Sequence, residues 1–241
     1  MKTITWITSI VMAFLLQFNA WGQENSRVIP RTWQVGIGLG ELPVGGSFKP
    51  SITLGYHFNE KIYAGFIYQF KDEIQRSESS FNAQSAELDG LMRSMETVNQ
   101  RFMLQVRYTP VRFGPYISAG FVYNGRDTEN MFFDNRSRNL VGENFEGSIH
   151  VQQSRPAGWG LALGLGYQYH FKNGFTAGFE WTPAWGQRPD PEYQFGGTAN
   201  LSSEAQAEIQ KNMNEGFENS VTNLYKVFHI GFAYRFPLKN P

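Results

Sequence analysis

The side chains that could bind a metal, move a proton or attack a carbonyl are few and scattered. The four histidines, His57, His150, His170 and His229, are far apart in the chain, whereas a metal centre needs several ligands brought to one point. His57 and His170 fall singly in different segments and His150 in a loop-like stretch, so neither metal nor cofactor is expected. Nucleophilic hydrolysis needs Ser, His and an acid in line. The serines are spread mainly through connecting segments, so no catalytic residue is assigned and the chain is read as a non-enzyme. It has no Cys, which removes disulfides, thiolate ligands and a Cys nucleophile together. Gly36, Gly38, Gly40 and Gly160, Gly164, Gly166 imitate nucleotide-binding patterns, but they lie within extended segments rather than at a strand-to-helix turn. Their expected role is to leave space.

What would position the remaining polar groups is a two-residue alternation. From Trp159 to Phe171 every odd position is large and apolar, and every even one is Gly, Ala, Gln or His, which marks a strand with one apolar face. Phe228, Ile230, Phe232, Tyr234 and Phe236 alternate in the same way with His229, Gly231, Ala233 and Arg235. Six more such segments begin near Trp33, Ile52, Ile62, Phe102, Phe113 and Phe175. The face opposite the apolar one is too rich in Gly and polar groups to make a dry core, so the apolar face belongs outside. The expected fold is all-β: an eight-stranded antiparallel up-and-down transmembrane β-barrel. A barrel of that size encloses side chains or one small ligand. Arg107, Glu180, Arg235, Gln105 and Gln168 fall on the inward parity and are expected to form a lumenal polar network. Because an unpaired buried carboxylate costs several kcal/mol, roughly, Glu180 should lie near Arg107 or Arg235, directly or through water.

The connections alternate in length. Asn59-Glu60-Lys61, Pro110-Val111-Arg112 and Lys172-Asn173-Gly174 are tight, and Asn-Gly is the preferred type I′ pair. Residues 71–100, 124–157 and 186–225 are long, and Glu41 to Ser47 is short. Short periplasmic turns and long extracellular loops are the rule for such barrels, which puts both termini in the periplasm. The long loops are able to carry short helices: Leu88, Leu91, Met92, Met95 and Val98 recur at helical spacing. A second helix is expected from Ser203, with Gln206 at the capping-box position and Ala205, Ile209 and Met213 on one face. Outward aromatics, Trp33 and Phe236 at one end and Trp159, Trp181 and Trp185 toward the other, suggest a girdle at each bilayer face. Leu163→Arg should therefore be costly, and Gly164→Ser milder.

Composition fits and excludes. Mean hydropathy is −0.39 and formal net charge zero; alternation hides the apolar band, and no basic surface offers itself to nucleic acid. At the N-terminus, Lys2, the apolar stretch Ile4 to Phe18, and Ala20 and Gly22 before Gln23 have the form of a cleaved Sec signal peptide over residues 1–22. Residues 23–241 would then be a single barrel domain.

Over roughly Arg31 to Phe236, these features resemble the small eight-stranded outer-membrane barrels of the OmpA, OmpX and OmpW type. The closing Phe232, Tyr234, Phe236 is similar to the terminal aromatic signature that such proteins present to the barrel-assembly machinery, with Pro237 to Pro241 following as a departure. The leader ending before Gln23 is similar to signals common in Bacteroidota and their outer-membrane β-barrel families. The resemblance implies a Gram-negative cell outer membrane location, contact with lipid and lipopolysaccharide, and a non-catalytic role: structural, or binding a ligand or protein partner through the long loops. The alternatives are passage of small hydrophobic molecules, as the OmpW likeness permits, lipid A modification, and an accessory barrel of a secretion apparatus.

Overall fold

The computed structural model describes residues 31–40, 48–77, 80–111, 114–171, 173–186, 190–218 and 225–237. The expected signal peptide over residues 1–22, the Glu41 to Ser47 connection, Arg112, Phe113, Lys172 and residues 238–241 lie outside the described residues. The chain runs through β1 Thr32–Leu39, β2 Pro50–His57, β3 Ile62–Gln69, β4 Asp72–Arg76, α1 Phe81–Ser85, β5 Leu91–Val98, β6 Arg101–Tyr108 and β7 Pro115–Asn124. It continues with β8 Asp127–Leu140, β9 Glu143–Arg155, β10 Gly158–His170, β11 Phe175–Trp185, β12 Glu192–Gly197, α2 Ser203–Glu218 and β13 Tyr225–Pro237.

Eight strands close into an antiparallel barrel in the order β1-β13-β11-β10-β7-β6-β3-β2. They are the eight alternating segments, with the parity expected. Ile37, Leu161, Leu163, Leu165 and Phe232 are at least 60% exposed, while their neighbours Gly36, Gly160, Ala162, Gly164 and Gly166 are buried. An uncovered apolar belt of this extent is far beyond what a monomer in water leaves open, and it suits hydrocarbon.

The long connections are more ordered than expected. Their strands form a second, open sheet in the order β12-β9-β8-β5-β4. Each of its strands prolongs a barrel strand: the barrel neighbours β11-β10-β7-β6-β3 become β12-β9-β8-β5-β4 in the same sequence. The register is carried through as well. Asn124 faces Gly158 at the end of the β7–β10 ladder, and Asp127 faces Arg155 three residues on. Between β7 and β6, the Gly125 N–H donates to the Gln100 carbonyl at 2.9 Å.

The expected helix around Leu88 to Val98 is instead largely strand β5, paired with β4 and β8. Its 3–4 spacing mixes two faces: Leu88 and Val98 are buried, Met92 and Met95 exposed. Pairing on both sides overrides the local period. The second expected helix is present as α2, but its cap is Ser202, whose Oγ accepts from the Ala205 N–H at 3.3 Å. Gln206 reaches back to the Leu201 carbonyl at 3.1 Å. Ala205, Ile209 and Met213 are buried, and the last two pack with Met131, Phe133, Ile149 and Val151 of β8 and β9 into a core that includes Ala83 and Leu88. The sheet and its helices thus form a two-layer module with its own apolar core.

Two turns also differ from expectation. Asn173 keeps an ordinary φ, and only Gly174 is positive, at φ 90. With Gly174 N–H bonded to the Phe171 carbonyl at 3.2 Å, this is a three-residue hairpin rather than a type I′ turn. The I′-like pair is Val141 (φ 47) and Gly142 (φ 79), joining β8 to β9, where a β-branched residue holds a left-handed conformation that favours Gly or Asn.

Candidate functional site

The lumen is stratified. At the end nearer the module lies a dry layer, Ile67, Met103, Val122, Ala162, Ala184 and Val227. The polar expectation missed it because apolar residues are thinly spread on the inward parity of each strand, and only closure brings them together. Above it Lys49 has no exposed surface, and its Nζ donates to the Asn99 carbonyl at 2.6 Å. The Asn124 amide reaches the Asp127 carboxylate at 3.0 Å. The last lumenal side chain of β7 thus meets the first side chain of β8 across the break between them.

Below the dry layer sits Glu180, fully buried. Arg107 Nη2 approaches its Oε2 to 2.6 Å. Ser118 Oγ donates to Oε1 at 2.7 Å and Thr182 Oγ1 at 3.0 Å. Gln105 Nε2 and Tyr116 OH each donate to Oε2 at 3.2 Å. Both carboxylate oxygens are therefore satisfied by five side chains from three strands, β6, β7 and Glu180's own β11, as a charge in a dry interior requires. The Arg107 guanidinium lies between two rings, 4.7 Å from the centroids of both Tyr63 and Tyr116. The glycines make this possible. A Cβ on Gly166 would stand 2.2 Å from the Tyr116 ring, and one on Gly55 2.2 Å from Tyr63.

Toward the short-turn rim the groups separate. Gln34 Oε1 accepts from His57 Nε2 at 2.8 Å and from Arg235 Nε at 3.3 Å. Arg235 Nη2 donates to His170 Nε2 at 3.0 Å; a guanidinium cannot accept, so this nitrogen of His170 carries the lone pair. Gln168 bonds Thr176 at 3.0 Å. Of the residues singled out from sequence, Arg107, Gln105 and Glu180 come together, while Arg235 and Gln168 stand apart from them. Ser118 and Thr182 were missed as Glu180 donors. Parity places them inward, but only the barrel's register sets them beside Glu180. A void of about 20 Å³, bounded by Gln34, Thr53, Arg107, Tyr116 and His229, remains beside the pair, room for about one water.

A Ser–His contact unseen in the sequence is also present: Ser51 Oγ and His229 Nδ1 are 2.9 Å apart. Glu180 is His229's direct cross-strand neighbour, yet its hydrogen bonds go to the five donors above. Ser51 and His229 are both buried, so this pair does not face a substrate. On the outer face Trp33, Trp159, Trp181, Trp185 and Phe236 are each about half exposed. Trp33 faces Phe236 at the short-turn rim, and Trp159 faces Tyr123 at the other. Trp181 pairs with Leu165, four residues below Trp185, within the belt rather than at its edge.

A family model described as outer membrane protein beta-barrel domain matches residues 31–236. The chain is similar in structure to CarO2 of Acinetobacter baumannii, with TM-score 0.53 and 13% identity, over 88% of this chain and 100% of that one. It is also similar to a major outer membrane protein from Thermus thermophilus (TM-score 0.39, 11% identity, covering 86% and 99%). A third similarity is to the outer membrane protein AlkL (TM-score 0.37, 14% identity, covering 90% and 96%). At these identities the likeness is one of fold. No protein with a curated description matches the chain in sequence.

Proposed function

Because the chain belongs to the outer membrane protein β-barrel domain family, we propose that it is a non-catalytic outer-membrane anchor. On this reading its lumen is sealed by side chains, and the five-stranded module is held outside the cell to bind a ligand or partner. The observation that carries the proposal is the continuity of five barrel strands, in register, into a sheet with its own core. A fixed wall of this kind suits a surface that must be presented rigidly, since sites on regular elements are held more precisely than sites on loops. The dry layer and the Glu180 network below it support a closed lumen. The module outside, both termini in the periplasm and removal of residues 1–22 follow the common arrangement of such barrels.

Two measurements test this. The purified protein in planar bilayers should show no sustained conductance, and protease added to intact cells should cut epitopes placed in the β8–β9 turn. Steady single-channel steps, or saturable uptake of small hydrophobic molecules by cells expressing it, would replace the sealed anchor with a transport route. Protection of the β8–β9 epitopes in intact cells would reverse the orientation.

A further inference from the structure

Below the dry layer the lumen is unequal in charge. Among the described residues its inward ionised side chains are two guanidiniums, Arg107 and Arg235, and one carboxylate, Glu180. Arg107 is committed to Glu180. Arg235 bonds only neutral groups, Gln34 Oε1 at 3.3 Å and His170 Nε2 at 3.0 Å, and no carboxylate among the described residues pairs with it. Protonation of His57, His170 or His229 would add to the surplus rather than cancel it. A cation enclosed without a counter-charge is costly where the dielectric is low.

The hydrogen-bond inventory leans the same way. The Arg107 Nε–H is buried and has no partner among the described residues. Gln34 turns its amide oxygen to His57 and Arg235, so its NH2 end is the one left over, again with no described partner. Both residues border the void of about 20 Å³, as does the Thr53 hydroxyl, which is able to donate. Glu180 does not border it, and its two oxygens already hold five donors. Against these donors stands one neutral acceptor, the amide oxygen of Gln168, whose nitrogen donates to Thr176 at 3.0 Å. A partial charge of that kind does not offset a full one.

A water in the void would answer the donors and leave the surplus charge as it is. A monatomic anion answers both, and a space that holds about one water is too small for sulfate or phosphate. The structure assigns a halide site to this void, chloride in ordinary media, with Arg107 Nε–H and the Gln34 amide nitrogen as donors. Arg235, on the far side of the Gln34 amide, is the charge the ion balances. The bound ion makes this half of the lumen electroneutral and ties β1 to β6 across it. The site goes beyond the anchor reading and holds whichever way the module faces.

Urea unfolding of the full-length protein in phosphatidylcholine vesicles tests it, with sodium chloride, bromide and gluconate compared at equal ionic strength. The midpoint should rise saturably with chloride and bromide beyond its value in gluconate, because a ligand of the folded state alone stabilises by mass action. Arg235→Gln keeps an amide for Gln34 and His170 but removes the surplus charge. It should lose the chloride dependence and, in gluconate, unfold at higher urea than the wild type. Crystals of the wild type grown in sodium bromide should show an anomalous peak beside Arg107, a readout that does not depend on any variant folding. Equal midpoints in chloride and gluconate, a chloride dependence retained by Arg235→Gln, or no anomalous peak in the void would each overturn the site. A lumen sealed without a halide would still serve an anchor, so failure here is separable from failure of that reading.

Discussion

The barrel and the module are two stretches of the same wall, with the same strand neighbours and the same register, and they solve burial in opposite ways. In the barrel the outward parity is apolar and hydrocarbon covers it; the inward parity is packed with glycines, rings, a dry apolar layer and the buried Arg107–Glu180 pair. In the module the covered face mixes apolar residues with the buried Ser94, Glu129 and Gln153 and protein covers it, through Ile209 and Met213 of α2, while the other face mixes polar groups with Met95 and Phe132. The switch falls between β7 and β8, where burial passes from Tyr116, Ser118 and Val122 to Glu129, Met131 and Phe133. Closure removes strand edges from the barrel. The module keeps two, at β4 and β12.

The comparison is broken most severely at Glu180. Glu180→Ala would leave the Arg107 guanidinium buried without its counter-charge, so urea unfolding in vesicles should report a loss of about 3 to 5 kcal/mol, with the module's core intact by hydrogen exchange. Next is Leu163→Arg, which places a charge in hydrocarbon and should cost about 2 to 4 kcal/mol in the same assay. A charge at Gln75 on the exposed module face should cost little, which would sharpen the contrast between the two solvents. The structure raises the expected cost of Gly164→Ser from mild to about 1 to 3 kcal/mol. Its Cβ would fall 2.1 Å from Thr182 Oγ1 and 2.5 Å from Ser118 Oγ, the two donors to Glu180 Oε1.

Smaller effects belong to the module. Val141→Asn, which relieves the left-handed β-branched residue, should stabilise it by about 1 kcal/mol, seen as slower exchange in β8 and β9. Glu96 provides a pH test. Its carboxyl is pushed up by burial and by Glu129, its direct cross-strand neighbour, despite Arg76 at 3.2 Å. The folded state therefore holds this proton more tightly than the unfolded chain, and stability falls as pH rises from the ordinary Glu value through the raised one. Glu96→Gln should remove that decline, leaving the acid limb of a module-unfolding profile unchanged and lifting the neutral limb; a parallel shift of both limbs would contradict it.

The barrel was largely legible in the sequence because hydrocarbon on one side and a packed lumen on the other impose a strict period of two, as from Trp159 to Phe171. The same reasoning read Leu88 to Val98 as helix, since in water a strand face need not be uniformly apolar and Met92 and Met95 blur the period. Glu180's inward placement and its need for a cation followed from parity and the cost of an unpaired buried charge. That the cation is Arg107 rather than Arg235, and that Ser118 and Thr182 complete the shell, depended on the barrel's stagger, which fixes which residues of distant strands share a level. The dry layer and the Ser51–His229 contact are likewise products of register. Alternation tells each side chain which way to face, and only the closed and extended sheets decide what it meets there.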